Sequence, residues 1–292
     1  MRLPHPAAIA ATLALSFGIP TVSAMQPPPP VPAASPYSYA DIADLATAAP
    51  MALHARIYEA IALKPERAPG VAAGFARFYV EADVVSLIRG AGPLASRISY
   101  LVDLPLDAKG KPPKLKKKQP VLLFARPVPG AAAGSNSTGS VRLIAPDAQL
   151  PWDPATEARV RAVLTEAVKP GAPAEITGIA NGFHVPGTLP GEGETQLFLN
   201  TRTGDPVSIT VLTAADGSRR WSAAFGEIVD GASVPARDTL AWYRLACGLP
   251  RQLPLDKLAG TAPEDRRKAA ADYAVVLGAL GECARTRKPP ID

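Results

Sequence analysis

Alternation of apolar and polar residues dominates the first half of the chain. Leu53, Ala55, Ile57 and Ile61 fall on one side of an extended segment and His54, Arg56 and Tyr58 on the other, a period of two that predicts a strand. The pattern recurs with Phe78, Val80, Ala82 and Val84 set against Arg77, Tyr79, Glu81 and Asp83, and it stops at Arg89-Gly90. Ile98, Tyr100, Val102 and Leu104 predict a third strand, residues 121–126 a fourth and residues 141–145 a fifth. A helix precedes them. Ser38 with Asp41 three residues on is a capping pattern, Ile42, Leu45 and Ala46 share one side, and the helix must end before Pro50.

Five short strands separated by Gly-, Pro- and Lys-rich turns predict a small closed or half-closed barrel over residues 38–150. It is OB-like in strand count and in its long second strand. A helix between the third and fourth strands is not expected, because residues 107–120 are rich in proline and lysine. The period then becomes helical: Asp153 caps, Pro154 takes the first position, and Val160, Val163, Leu164, Ala167 and Val168 form one apolar stripe. Residues 151–292 continue with an antiparallel meander. Its strands are a segment around 176–185, the alternation about Leu197 and Leu199, then Val207, Ile209 and Val211, and, after the tight turn at Asp216-Gly217, Trp221, Ala223 and Phe225. Two helices close the chain, one over about 235–247 and one opened by the Thr261-x-x-Glu264 capping box, with Tyr273, Val276, Leu277, Leu280 and Cys283 on its stripe. The fold class is therefore α+β and β-rich: a small OB-like or barrel-like N-terminal β half, a linking helix, an antiparallel meander sheet and two C-terminal helices.

The first residues change the setting of this fold. Arg2, the apolar stretch 7–17, the breakers Gly18 and Pro20, and Val22-Ser23-Ala24 make residues 1–24 a signal peptide. Its apolar core falls short of the ~20 residues a bilayer span needs. Cleavage after Ala24 places the protein in the periplasm or outside the cell. Residues 25–37, with Pro27 to Pro30 consecutive, form a Pro-rich linker. In an oxidising compartment Cys247 and Cys283 pair as a disulfide, since both fall on inward stripes of the C-terminal helices. The chain is 47% hydrophobic but only 6% aromatic, so its core is built from small aliphatic side chains. A net charge of +5 over 292 residues is too mild to mark a nucleic-acid binder or a membrane-coating protein.

Motifs for catalysis are missing: there is no H-E-x-x-H, G-x-S-x-G, S-x-x-K or phosphate-cradling P-loop pattern. Neither a cofactor nor a metal is expected. Once the leader is removed, His54 and His184 are the remaining histidines. His184 precedes a Gly-rich loop carrying Glu192 and Glu194, so it is a candidate general base with a glutamate to orient its ring. The competing reading is a strand-end histidine bonded to backbone. His54 sits on the predicted outward face and has no assigned role. Asp205, Asp216, Glu227 and Asp230 lie near strand ends and serve glycoside hydrolysis only if a cleft brings two together. Asn136-Ser137-Thr138 matches a glycosylation sequon within the Gly/Ser-rich 131–140 segment.

Six lysines occupy the ten residues 109–118, and Lys114, Lys116, Lys117 and Lys118 are candidate contacts for an anionic envelope component. That loop has no aromatic residue on which a base could stack, so no nucleic-acid partner is expected. The favoured function is an exported, non-catalytic periplasmic or envelope protein that binds or scaffolds an anionic envelope component or an envelope protein, without being an integral membrane protein. The alternatives are a hydrolase of an envelope polymer using His184 with Glu192 or Glu194, and a structural subunit of an envelope assembly.

Overall fold

Ser38 caps α1 (Tyr39–Ala48) as its spacing predicts. Its hydroxyl accepts from the Asp41 amide at 3.1 Å, and the Asp41 carboxylate accepts from the Ser38 amide at 2.9 Å. The computed structural model describes residues 37–91, 94–128, 139–226, 231–258 and 262–287. The leader, most of the Pro-rich linker, the sequon, Glu227, Asp230 and Thr261 lie outside the described residues.

Five strands form the barrel: β1 (Met51–Ala62), β2 (Phe75–Arg89), β3 (Arg97–Pro105), β4 (Pro120–Pro127) and β5 (Gly139–Leu143). They run in the order β1-β2-β3-β5-β4, and β1 pairs back onto β4 to close the sheet. Every neighbour is antiparallel except β3 with β5, which run parallel. This is the OB-like arrangement, and residues 106–119 join β3 to β4 without a helix. Phe78, Val80, Ala82, Ile98, Tyr100 and Val102 fill the interior as the alternation predicts.

β1 departs from its predicted phase. His54 is only 6% exposed, whereas Ile61 is 50% exposed. Register shifts against β2 after Ala52, His54 and Ile57 break the strict period. In addition, the outer face at His54 is covered by the indole of Trp152, which stacks on the imidazole with centroids 4.5 Å apart. Trp152 follows β6 (Gln149–Pro151), a strand paired to β4 that is too short to leave a periodic signal.

α2 (Pro154–Ala167) starts at Asp153, whose carboxylate accepts from the Thr156 amide at 2.9 Å. Val160, Val163 and Leu164 are buried, but Val168 is 72% exposed because the helix ends at Ala167, just before Lys169-Pro170. The second sheet is the expected meander, ordered β10-β9-β8-β7, from β7 (Ile176–Pro186), β8 (Gly193–Thr201), β9 (Val207–Thr213) and β10 (Arg219–Phe225). The β9–β10 turn carries Gly217 at φ 81°, and the Asp216 carboxylate accepts from the Ser218 amide. α3 (Leu240–Gly248) begins later than periodicity suggests. Thr239 supplies its cap, and Asp238, at φ 59°, turns the chain just before it. α4 (Pro263–Leu280) starts after Ala262, which offers no side-chain cap, and the Thr261 of the predicted capping box lies outside the described residues. The helix packs on β7, β8 and β10, while α1 touches α2 and α3. No helix among the described residues is long and apolar enough to cross a membrane.

Cys283 lies beyond α4, not on its stripe, because Gly281 at φ 70° ends the helix and sends the chain into a tail. Its sulfur is 2.08 Å from that of Cys247, at disulfide distance. The tail then crosses α1. Fully buried Asp41 accepts from the backbone amides of Thr286 and Arg287, each at 2.9 Å, and from the Thr286 hydroxyl at 2.6 Å. Burial alone raises a carboxyl pKa, but these donors outweigh it and hold Asp41 below the usual range. One turn along α1, Asp44 binds the Arg285 guanidinium through two bonds of 2.7 and 2.9 Å and accepts from the Tyr243 hydroxyl at 2.5 Å. Burial, together with Asp44, pushes the Tyr243 phenol up to about 12. Arg287 reaches Asp147 beyond β5, at 2.7 Å, so the tail ties α1 to the barrel.

Candidate functional site

The parallel seam of the barrel is short. β3 and β5 share only the register pairs Ile98↔Gly139 and Ser99↔Ser140, and the Asp103 amide then bonds the Pro146 carbonyl at 2.7 Å. Where the strands part, a cavity of about 860 Å³ opens on the barrel's side. Strand alternation places Tyr79, Leu101, Ser99 and Ser140 on this outer face, opposite the core residues Val80, Val102 and Tyr100. The Ser99 and Ser140 hydroxyls are 3.1 Å apart. Arg77 grips Asp103 across the β2–β3 pair through Nε at 2.7 Å and Nη2 at 2.8 Å.

The other wall has an unbalanced charge. Arg126 of β4 and Arg142 of β5 are direct cross-strand partners, so their side chains emerge on the same face. Like charges placed opposite each other destabilise a sheet. Among the described residues neither arginine makes an ion pair or a side-chain hydrogen bond. Sequence reasoning missed both. Their isolated positions carry no spacing signal, and only the β4–β5 register brings them together.

The four predicted lysines stand elsewhere. Lys114, Lys116, Lys117 and Lys118 are exposed on the 106–119 loop, and none lines the groove. This loop is held at several points. The Asp107 carboxylate accepts from the amides of Lys109 and Lys111, and the Lys118 amide, at φ 63°, bonds the Ile57 carbonyl at 2.7 Å. Lys117 Nζ sits 5.5 Å from the Tyr58 ring, whose centroid is 3.4 Å from the Arg97 guanidinium carbon.

His184 points into the protein. Its Nδ1 lies 2.9 Å from the Thr195 hydroxyl oxygen, which is itself 2.5 Å from Asp272. The hydroxyl has one proton and gives it to Asp272, so it accepts from the His184 Nδ1–H. Asp272 also takes Arg219 Nε at 2.7 Å. The far edge of the ring rests on Gly193, where a Cβ would come within 2.6 Å of Nε2. The predicted glutamates do not join this group. Glu192 accepts from the Leu189 amide at 3.3 Å, and Glu194 accepts from Gln196. Asp272, on α4, takes their place as the carboxylate of the cluster, and no spacing in the sequence singles it out. Asp205 and Asp216 each serve their own turn, at Thr203 and Ser218, and do not form a pair. Among the described residues no cluster of three or more His, Cys, Asp or Glu is placed to hold a metal.

His54 belongs to a second buried cluster. Trp152 Nε1 donates to Glu157, which lies 3.7 Å from His54 Nδ1 and pairs with Arg161. Burial would raise the Glu157 pKa, but the Trp152 and Arg161 donors hold it below the usual range. Burial also depresses His54, against the opposing pull of Glu157, so the folded protein protonates this ring below the ordinary 6.5. As pH falls through about 6.5 the unfolded chain binds that proton first. The stability tied to the neutral ring is therefore complete above about 6.5 and is lost as pH falls toward and through the folded pKa. Urea titrations from pH 7.5 to 5 are expected to show a falling midpoint, and His54→Gln is expected to flatten that limb. An unaltered pH profile in the variant would place the acid sensitivity in other groups.

No family model matches the chain, and no curated protein matches it in sequence.

Proposed function

We propose that this is an exported, non-catalytic envelope protein whose OB-like barrel binds a ligand in the β3–β5 groove. The groove itself carries this reading. It is a concavity of about 860 Å³ on the barrel, it combines apolar and hydroxyl-bearing side chains, and it holds two arginines that have no counter-charge among the described residues. The disulfide-distance pair supports an oxidising compartment, and the leader-like N-terminus supports export. His184 favours binding over hydrolysis, since its ring faces Thr195 and Gly193 in the interior and not a cleft.

Purified protein is expected to be retained on isolated bacterial envelope material at low salt without releasing soluble fragments. Ser140→Trp, which fills the groove from an exposed position, is expected to abolish retention. Undiminished retention in that variant, together with loss on replacing Lys116, Lys117 and Lys118 by Ser, would move the seat to the basic loop. Release of fragments that stops in His184→Asn would favour the hydrolase.

A further inference from the structure

We infer that the groove takes an acidic saccharide, with its carboxylate or phosphate held between Arg126 and Arg142 and its sugar rings lying along Tyr79, Leu101 and the paired serines. This rests on the groove being the ligand seat. The two guanidiniums form the end of the groove that carries net positive charge. A planar fork of donors matches the oxygens of a carboxylate or phosphate, and two forks facing one position from adjacent strands satisfy such a group from both sides. An oxyanion there removes the like-charge repulsion that the bare pair imposes on the β4–β5 ladder.

The rest of the face selects the kind of anion. Beyond the arginine pair, charge on β2 and β3 is balanced in alternation: Arg77 with Asp103 at 2.7 Å and Arg97 with Asp83 at 2.8 Å, with Glu81 between them on β2. A nucleic acid, with a phosphate at every residue, meets those carboxylates along its length. Among the residues lining the groove it also finds only the half-buried ring of Tyr79 on the outer face on which to stack, and that hydroxyl is engaged by Glu81 at 3.1 Å. A saccharide has the opposite character. Its hydroxyls donate to carboxylates and accept from guanidiniums and serines, its ring faces are apolar enough to cover Tyr79 and Leu101, and its charges are sparse. A cavity of about 860 Å³ accommodates several sugar units.

Hexagalacturonate is the probe, measured by isothermal titration calorimetry at low salt against the full mature chain, with maltohexaose and a dT hexamer as comparators. The expected result is binding of hexagalacturonate that weakens with added salt. Replacing Arg126 and Arg142 together by Ser is expected to weaken it at least tenfold, and Lys116→Ser/Lys117→Ser/Lys118→Ser to leave it within about twofold. Both arginines are exposed, and removing them relieves their mutual repulsion, so the double variant is expected to keep or slightly raise its thermal midpoint, which is checked alongside. No binding of hexagalacturonate, equal binding by wild type and the double variant, equal affinity for maltohexaose, or tighter binding of the dT hexamer would each overturn the inference. If those results came with envelope retention still abolished by Ser140→Trp, the groove would remain the seat and only its ligand class would be wrong. Retention insensitive to Ser140→Trp would remove both.

Discussion

Replacing Asp44 by Ala is expected to lower the unfolding free energy by about 3 kcal/mol, and Tm by on the order of 10 °C. The carboxylate it removes is 6% exposed and serves two partners from distant parts of the chain, Arg285 and Tyr243. Breaking a buried ion pair from one side costs about 3–5 kcal/mol, mostly because the other charge is left without compensation. The lower figure applies here because the Arg285 side chain keeps 30% of its surface exposed and water can solvate it in part. Removing Arg285 together with Asp44 is accordingly expected to cost less than the sum of the single changes, in a double-mutant cycle read by urea unfolding. A single-variant loss below about 1 kcal/mol would mean that the tail does not close on α1 in solution.

The second large effect is expected at the root of the same tail. Cys247→Ser/Cys283→Ser is expected to lose about 4 kcal/mol, the unfolded-state entropy set by a sequence separation of 36. Treating the wild type with reductant is expected to match the double variant. The two devices share a segment: the sulfur bridge fixes where residues 281–287 start, and Asp41 and Asp44 fix where they lie. Asp44→Ala is therefore expected to cost more in the serine background than in the wild type, because the tail then has no remaining cross-link to α3. Strict additivity of the two changes would show that bridge and clasp act on separate parts of the molecule.

Nearly all of the regular structure is legible in the order of residues. Period two locates β1 to β5 and the meander strands, Asp153-Pro154 marks the start of α2, and Asp216-Gly217 marks a turn. The two cysteines do lie at disulfide distance, although the helical stripe that predicts their pairing runs out at Leu280, before Cys283. The errors cluster where a second element covers a face that local sequence leaves open. His54 alternates as an outward residue and is buried by Trp152, and Asp272, to which local sequence assigns no role, gains one when β8 and β10 present Thr195 and Arg219 to it.

By itself, the sequence determined the kind and order of the elements, because side-chain period and capping chemistry act within a few residues. It also determined the small-aliphatic core and the means of stapling the C-terminus. Which strands of the barrel become neighbours was decided only by the tertiary structure. Placing β5 between β3 and β4 closes the barrel, parts the seam into a groove and sets Arg126 against Arg142. That arrangement comes from burying a whole sheet at once, an energy that no local run of residues expresses.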